Sequence, residues 1–406
     1  MSKYARLGDI AKIYSGGTPS RKNPAYWGGN IPWIKTAQIQ NSLITEDGVE
    51  EWITEQGLKH SSSRIVPKGT ILMAMYGQGK TRGQVSILGM DAAINQACAA
   101  IQTGKGSNRD FIFQQLLFRY NSIRSLSNTG SQENLNAWLI RSIEVPLPSL
   151  SEQTAIADIL SNWDQAIEKT ERLITAKQER RTWLTQQLLT GKRRLPGFKK
   201  SNELRKTPFG TLPADWGYPR IDDVAKEVSE RNGDNTTRPV LSCTKHQGLV
   251  DSLTYFGKRI FSEDLSNYKV VHRHQFAYAT NHIDEGSIGY QDAYDEALIS
   301  PIYTVFQANE TMDDRFLFLI LKTETYRHIF SSNTSASVDR RGSLRWSDFA
   351  KIRVPRPSIE EQKAIVKVIN TADRELDLLH TQFDALREQK KGLMQQLLTG
   401  KVRVKV

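Results

Sequence analysis

Residues 145–192 read VPLPSLSEQTAIADILSNWDQAIEKTERLITAKQERRTWLTQQLLTGK, and residues 354–401 read VPRPSIEEQKAIVKVINTADRELDLLHTQFDALREQKKGLMQQLLTGK. The two segments align without a gap, 209 positions apart. They share VPxPS, EQ and AI at the start and QQLLTGK at the end. This similarity indicates an internal duplication, and the rest of the chain is organised around it.

Each copy is predicted to form one helix of roughly 40 residues, or about 60 Å. A serine with a glutamate three positions later has the spacing of an N-terminal capping box, and a glycine stands where a left-handed cap would end the helix. These residues are Ser149, Glu152 and Gly191 in the first copy and Ser358, Glu361 and Gly400 in the second.

Apolar residues in each copy recur at alternating steps of four and three, which is typical of a coiled-coil seam. The seam positions are Ile156, Leu160, Trp163, Ile167, Ile174, Leu184 and Leu188 in the first copy, and Ile365, Ile369, Leu376, Leu379, Phe383, Leu386, Leu393 and Leu397 in the second. Polar residues also stand on the seam, namely Thr170, Lys177, Arg181 and Lys390. Either each helix packs on its own neighbouring domain, or the two helices pair with each other. Their length favours an intramolecular antiparallel coiled coil, since an ordinary domain helix has ~11–12 residues.

Strand-like runs such as IPWI (31–34) and QVSIL (84–88) precede a helix-like FIFQQLLFRY (111–120), and residues 140–145 are predicted as a last strand. RIDDVAK at 220–226 repeats RLGDIAK at 6–12, so the duplication covers whole halves of the chain. We predict an α+β fold with two pseudo-repeated α/β units, separated by two long helices and related by a pseudo-two-fold axis. The predicted boundaries are 1–144 for the first unit, 145–195 for the first helix, 196–219 for a linker, 220–353 for the second unit and 354–406 for the second helix.

Composition limits the class of protein. The chain has 406 residues, 38% of them hydrophobic, and no apolar run approaches the ~20 residues of a membrane span. No secretory signal is recognisable, and the two cysteines, Cys98 and Cys243, lie in different halves. These features predict a cytoplasmic protein. The net charge of +11 suggests a polyanionic partner, although the second unit carries a slight acidic excess.

In the first unit, glycine-rich loops bear polar, basic and aromatic side chains suited to phosphates and base edges. The candidate DNA-binding residues are Thr18, Ser20, Arg21, Lys22, Tyr26, Trp27, Lys35, Thr36, Tyr76, Gln78, Lys80, Thr81, Arg82, Ser131, Gln132 and Asn134. Gly79-Lys80-Thr81 resembles the end of a P-loop, but the glycine required five positions earlier is Ala74. An ordinary solvated hairpin remains the alternative for this loop.

In the second unit the interior sequence has diverged, as expected for two domains that read different targets. The candidate DNA-binding residues there are Lys245, His246, Tyr278, Asn281, His282, Arg340, Arg341 and Arg345. Arginine pairs in bidentate fashion with guanine and phosphate, although surface ion pairs with Asp339 or Asp348 would also account for the arginines. His272 and His274 are spaced like metal ligands without an evident third ligand, so no metal site is predicted.

Two variable units, each followed by a VPxPS…EQ…QQLLTGK helix, and the opening RLGDIAKIYSGGTPS resemble the specificity subunits of Type I restriction-modification systems. The resemblance spans essentially the whole chain. It implies two target-recognition domains that each read one half of a bipartite DNA site. It also implies helices that space these domains and dock two methyltransferase (modification) subunits, through which restriction (motor and nuclease) subunits join.

The resemblance further implies that the chain has no catalytic residues and binds no cofactor itself. S-adenosylmethionine and ATP are then expected on partner subunits, where adenine methylation and DNA cleavage occur. In agreement, the sequence has no S-adenosylmethionine loop and no complete Walker motif. The alternative function is a coiled-coil assembly scaffold whose globular ends bind proteins. That alternative does not explain why the two duplicated units have diverged.

Overall fold

A computed structural model describes residues 3–77, 79–126, 134–233, 237–334 and 343–406. The chain forms two compact units. The first comprises Met1–Leu173 with Leu379–Val406, and the second comprises Ile174–Leu378. The division falls inside both long helices, so each unit contains one globular part and a segment of each helix.

The first unit contains eleven strands and five short helices in its described residues, followed by the first long helix. The strands are β1 (Lys3–Arg6), β2 (Ala11–Ser15), β3 (Trp27–Ile34), β4 (Leu43–Ile44), β5 (Glu51–Ile53), β6 (Ile65–Val66), β7 (Ile71–Ala74), β8 (Val85–Leu88), β9 (Ala92–Ile94), β10 (Cys98–Thr103) and β11 (Glu144–Leu147). The helices are α1 (Leu7–Ile10), α2 (Glu55–Lys59), α3 (Arg109–Phe118), α4 (Tyr120–Ser125), α5 (Ala137–Ser142) and the long α6 (Leu150–Leu189). Single 3-10 turns lie at Pro24–Tyr26, Thr36–Gln38 and Glu46–Gly48.

The second unit begins with a two-stranded hairpin and then repeats much of this order. Its strands are β12 (Leu204–Thr207), β13 (Gly210–Pro213), β14 (Ala225–Val228), β15 (Val240–Thr244), β16 (Gly248–Asp251), β17 (Lys269–His272), β18 (Phe276–Ala279), β19 (Ile288–Tyr290), β20 (Glu296–Ile299) and β21 (Tyr303–Ala308). Its helices are α7 (Ile221–Val224), α8 (Ser252–Phe256), α9 (Asp314–Leu321), α10 (Glu324–Asn333), α11 (Trp346–Phe349) and the long α12 (Ile359–Leu397), with a 3-10 turn at Ile283–Glu285.

Two sheets of matching topology form the core of each unit. The first unit has the strand orders β2-β10-β7-β8-β4 and β5-β3-β9-β6, and the second has β14-β21-β18-β19 and β16-β15-β20-β17. In both units a parallel pair lies within the second sheet, β3 with β9 and β15 with β20. The duplication inferred from the sequence is therefore confirmed at the level of strand pairing. A mixed helix and sheet fold was predicted and is found.

The predicted helix ends are largely confirmed. Gly191 (φ 66°) and Gly400 (φ 74°) adopt the left-handed conformation that ends a helix. The hydroxyl oxygens of Ser149 and Ser358 accept the amide N–H of the glutamate three residues on, at 3.3 and 3.4 Å. Those glutamates do not complete the capping box in return, because their carboxylates bind arginines.

The two long helices pack against each other in antiparallel fashion within each unit. All predicted seam residues are buried or half-buried. In the first unit Lys390 Nζ donates to Asp164 Oδ1 at 2.5 Å. In the second unit Arg181 Nε donates to Asp373 Oδ1 at 2.8 Å, and Lys177 donates to Glu375. The basic residues that interrupt the apolar seam thus pair with acidic residues of the opposite helix.

The shared Glu-Gln dipeptide joins each long helix to the rest of its unit. Gln153 Oε1 accepts the amide N–H of Asn108 at 2.8 Å, and Gln362 Oε1 accepts that of Asp313 at 2.7 Å. Both donors are N-cap residues of the helix that follows the last sheet strand, α3 or α9. The same interaction in both units explains why the glutamine is present in both copies, since a buried amide needs a partner.

Two local predictions need correction. Residues 140–142 were predicted as the start of a strand but belong to helix α5, which Asn136 caps by accepting the amide N–H of Leu139. The segment 196–219, predicted as a linker, contains the hairpin of β12 and β13. Among the described residues, no helix is both long and apolar enough to cross a bilayer.

Candidate nucleic-acid interface

In the first unit, four segments meet at one end of the five-stranded sheet. The amide N–H of Gly17 donates to Ile94 O at 2.9 Å, and that of Met75 donates to Ala97 O at 2.9 Å. The amide N–H of Leu135 donates to Met75 O at 3.0 Å. We call these segments, residues 15–22, 75–77 with 79–83, 94–98 and 134–136, the first loop edge. Most of the candidate residues in the first unit are therefore brought together.

Glycines at 16 and 17 allow the first segment to lie directly on its neighbours. A Cβ added to Gly16 would stand 1.8 Å from Ile94 O, and one added to Gly17 would stand 2.3 Å from the Ser62 hydroxyl. The carbonyl of Gly17 accepts hydrogen bonds from Trp33 Nε1 at 3.0 Å and Ser63 Oγ at 2.9 Å. The backbone is thus fixed at the position from which Thr18, Ser20 and later side chains project.

Three candidates, Arg21, Trp27 and Lys35, lie in one cluster around Glu51. The guanidinium of Arg21 stacks over the Trp27 ring at 3.7 Å and donates to Glu51 Oε2 at 2.5 Å. Lys35 Nζ lies 2.7 Å from Glu51 and 2.8 Å from Glu50. The Arg21 hydrogen bond lowers the pKa of Glu51, and hydrogen bonds to Glu50 and Glu51 raise that of Lys35. The cluster orients the arginine and neutralises part of its charge.

Other candidates of the first unit differ in exposure. Ser20, Lys22, Tyr76 and Lys80 are exposed; Thr18, Tyr26, Thr36, Thr81 and Asn134 are half-buried. Arg82, predicted as a contact on a flexible loop, is 7% exposed and enclosed by the fold, which corrects its prediction as a surface side chain. Gln78, Ser131 and Gln132 lie outside the described residues.

The second unit has an equivalent arrangement. The amide N–H of Leu344 donates to Thr280 O at 2.8 Å, which is the counterpart of the Leu135–Met75 bond. Lys322 Nζ donates to Lys245 O at 2.8 Å and Gly286 O at 3.0 Å. We call residues 245–247, 280–286 and 343–345 the second loop edge. Its exposed candidates are Lys245, His246 and Arg345, and its half-buried candidates are Asn281 and His282.

Tyr278 does not belong to this surface. It lies in strand β18, is fully buried and stacks on Phe349 with ring centroids 4.6 Å apart. Burial raises the pKa of its hydroxyl. It was predicted as a DNA-binding residue, and its burial in the aromatic core corrects that prediction. Arg340 and Arg341 lie outside the described residues.

Three further residues lie close to these edges and were not predicted from the sequence. Gln96 is exposed and accepts a hydrogen bond from the Thr18 hydroxyl. Trp138 is 70% exposed and lies two positions after the segment 134–136. Lys322 follows helix α9 and contacts both loops of the second edge. No local motif marks any of them, although an exposed tryptophan next to a polar segment could have been noticed.

The histidines and cysteines give no sign of a metal centre or a nucleophile. His272 Nε2 lies 2.8 Å from Glu230 Oε2, whereas His274 Nδ1 lies 2.6 Å from the Tyr290 hydroxyl, so the two rings have different partners. In the part of the chain that the structure describes, no group of three or more His, Cys, Asp or Glu side chains could hold a metal ion. Burial raises the pKa of both Cys98 and Cys243 to about 12.

Comparison with known proteins agrees with this architecture. The family model described as "Type I restriction modification DNA specificity domain" matches residues 2–178 and again 213–388. The MjaVIII specificity subunit of Methanocaldococcus jannaschii is 23% identical over 99% of this chain and 93% of its own length. The EcoR124I/EcoR124II specificity subunit of Escherichia coli is 29% identical over 40% of this chain and 41% of its own.

Solved structures show the same fold. The S subunit of a Type I restriction-modification system from M. genitalium superposes with a TM-score of 0.57, at 15% identity, covering 98% of this chain and 96% of that one. The HsdS subunit from Thermoanaerobacter tengcongensis gives a TM-score of 0.53, at 15% identity, covering 98% and 97%. With two family matches that together cover most of its length, the chain belongs to the Type I restriction-modification DNA specificity family.

Proposed function

We propose that the two loop edges each read one half of a bipartite DNA target. As a Type I specificity protein, the chain is a non-catalytic subunit that functions in DNA target recognition. One observation carries the bipartite proposal: the Leu135–Met75 and Leu344–Thr280 hydrogen bonds hold unlike loops at equivalent places on a duplicated scaffold. A duplicated reader with one target would have no reason to diverge in these loops.

Base reading by these edges would take place in the major groove, where all four base pairs present distinct donor and acceptor patterns. Exposed cations, such as Lys22 and Lys80 on the first edge and Lys245 and Arg345 on the second, are suited to phosphates or to guanine. Phosphate contacts would add affinity without sequence information. Amide and imidazole groups such as His246 and Asn281 would supply discrimination.

The paired long helices are proposed to set the number of unread base pairs between the half-sites. Support comes from the antiparallel packing within each unit and from the Asp164–Lys390 and Asp373–Arg181 pairs, which fix the register of the seam. Inserting four residues into each helix adds about 6 Å. The preferred spacer should then lengthen by one or two base pairs while both half-sites stay the same. An insertion variant that keeps the original spacer would contradict this role.

Two modification subunits and, through them, restriction subunits are the proposed protein partners. Support comes from the family membership and from a further solved structure of similar fold, which is described as addressing complex assembly of the type I R-M system. S-adenosylmethionine and ATP are proposed to bind those partners and not this chain. The cytoplasm, where host DNA is accessible, is the proposed location.

The decisive experiment is DNA binding by the chain together with its modification subunits. Random duplexes are selected through filter binding, sequenced, and the bound fraction is measured as salt is raised. We expect enrichment of one two-part sequence with a constant gap, and affinity that falls steeply with salt. A protein scaffold would retain no sequence at any salt concentration, and that result would reject DNA reading.

A further inference from the structure

Lys322 joins two segments of the second loop edge that lie far apart in sequence. It follows helix α9, and its ammonium group donates to the carbonyl of Lys245 at 2.8 Å and to that of Gly286 at 3.0 Å. The first carbonyl belongs to the turn between β15 and β16, and the second ends the 3-10 turn Ile283–Glu285. One side chain therefore sets the distance between this turn and this loop.

Burying the charged amine of Lys322 costs free energy, which favours a specific role for this contact. Lys322 is half-buried, and burial lowers the pKa of its amine. Among the described residues it has no carboxylate partner, so its hydrogen bonds go to backbone carbonyls. A surface lysine would stay in water at no such cost. Meanwhile the side chains of Lys245 and His246 are exposed, and those of Asn281 and His282 are partly exposed.

We propose that Lys322 is a positioning residue for the second half-site: it touches no base, but holds the turn 245–247 and the loop 280–286 at the separation that base reading requires. This inference rests on the proposed function. It adds a residue that determines specificity without being part of the reading surface.

The first unit supplies an independent counterpart. Tyr120 is the first residue of helix α4, two positions after α3 ends, and its hydroxyl donates to the carbonyl of Lys80 at 2.5 Å, in the segment 79–83 of the first loop edge. Arg124 Nη1 donates to the same hydroxyl at 2.7 Å. A residue just after the corresponding helix thus holds a reading loop in each unit, through a different side chain. Tyr120 is the proposed positioning residue for the first half-site.

The test uses the full chain with its modification subunits and the selected target. Lys322→Met keeps the aliphatic stem and removes the donors, and Tyr120→Phe removes one hydroxyl. Lys226→Met, which replaces an exposed lysine on β14, is the matched control for loss of charge. For each variant, binding is measured to the target and to duplexes with one base pair changed in either half-site, over a range of salt.

We expect Lys322→Met to lower discrimination at the second half-site roughly tenfold and to leave the first half-site unchanged, since one mismatch is worth ~1–3 kcal/mol. Tyr120→Phe should show the reverse pattern. The salt dependence should not change, because neither residue contacts a phosphate, whereas each lost phosphate contact would reduce the slope by ~0.9. Lys322→Arg, which keeps donors, should restore part of the discrimination.

Retained discrimination at the first half-site shows that Lys322→Met is assembled, and partial rescue by Lys322→Arg separates loss of the donors from misfolding of the second unit. Equal discrimination by the variant and the parent at both half-sites would overturn the proposal, as would a reduced salt slope, which would make Lys322 a phosphate contact. If the parent itself prefers no two-part sequence, the proposed function fails and not merely this inference.

Discussion

The two units agree in how their long helices are held and differ in the loops at the end of the sheet. Glu152 with Arg403, and Glu361 with Arg194, make the same ion pair 209 positions apart. Asp164 with Lys390, and Asp373 with Arg181, make another. These ion pairs fix the position of the long helices, and that position has to be the same in both units.

The loops share only their backbone anchors. The first edge uses a glycine pair packed on Ile94 and an Arg21–Trp27 stack, whereas the second uses a lysine that binds two carbonyls. Under the proposed function, shared ion pairs with different loops allow each unit to read its own sequence while both units are held in the same way. Substitutions in the ion pairs of the long helices and in the loops test how far the two units are equivalent.

The largest difference in the free energy of unfolding is expected between substitutions of the two arginines that bind these glutamates, Arg194 and Arg403, which we call the arginine clamps. The Arg194 side chain is 6% exposed and binds Glu361, Asp215 and Phe198 O, whereas the Arg403 side chain is 52% exposed and binds Glu152. Arg194→Ala should destabilise the second unit by about 3–5 kcal/mol, since it removes a buried arginine that pairs with two carboxylates and leaves the buried Glu361 without its cation. Arg403→Ala should cost clearly less, because this arginine is half exposed and its ion pair is weakened by solvent. Urea unfolding followed by tryptophan fluorescence measures both, and equal losses would mean that the clamps are energetically the same.

A smaller effect is expected from the glycine that seats the first loop. Gly16→Ala places a Cβ against Ile94 O, and relieving the overlap should cost about 1–3 kcal/mol and displace residues 15–22. Gly48→Ala is the matched control, because an added Cβ there meets no atom within 4 Å. Urea unfolding compares the two. If Gly16→Ala is as stable as Gly48→Ala, close packing of this loop is not what distinguishes the first edge.

The smallest effect concerns pH. A hydrogen bond from Arg403 holds the pKa of Glu152 below its ordinary value of 4.5. A depressed carboxyl pKa contributes stability above the unfolded value, and that contribution is lost as pH falls through the folded value. The stability gap between the parent and Arg403→Ala should therefore be constant near neutral pH and shrink below pH 4.5. Urea unfolding at several pH values checks this; a gap that persists in acid would exclude the ion pair as its source.

Periodic features were predictable from the sequence, and contacts between distant segments were not. The helices, their glycine caps and the seam follow from spacing alone, and the structure contains them. The acidic partners of Lys177 and Arg181 were not predicted, because Asp373 and Glu375 lie beside the apolar stripe and only the antiparallel register brings them across. The sequence around a polar seam residue does not identify its partner on the opposite helix.

The candidate interface was predictable as a set of loops but not residue by residue. Tyr278 has an aromatic ring that favours the core and a hydroxyl that favours the surface. The short run FAYATNH does not indicate which of the two environments it occupies. In the fold the ring is in the core. Lys322 shows the opposite case, since a lysine after a helix looks like a solvated C-terminal residue until two carbonyls from other segments are seen beside it.

The most direct test of the account is the methylation pattern of a host that expresses this chain with its modification subunits, read by single-molecule sequencing. The account predicts one adenine-methylated motif of two short parts with a constant gap. Exchanging the globular part of the second unit for that of a relative should change one part and leave the other part and the gap as they were. A continuous motif, or an exchange that alters both parts, would contradict two independent readers on one duplicated scaffold.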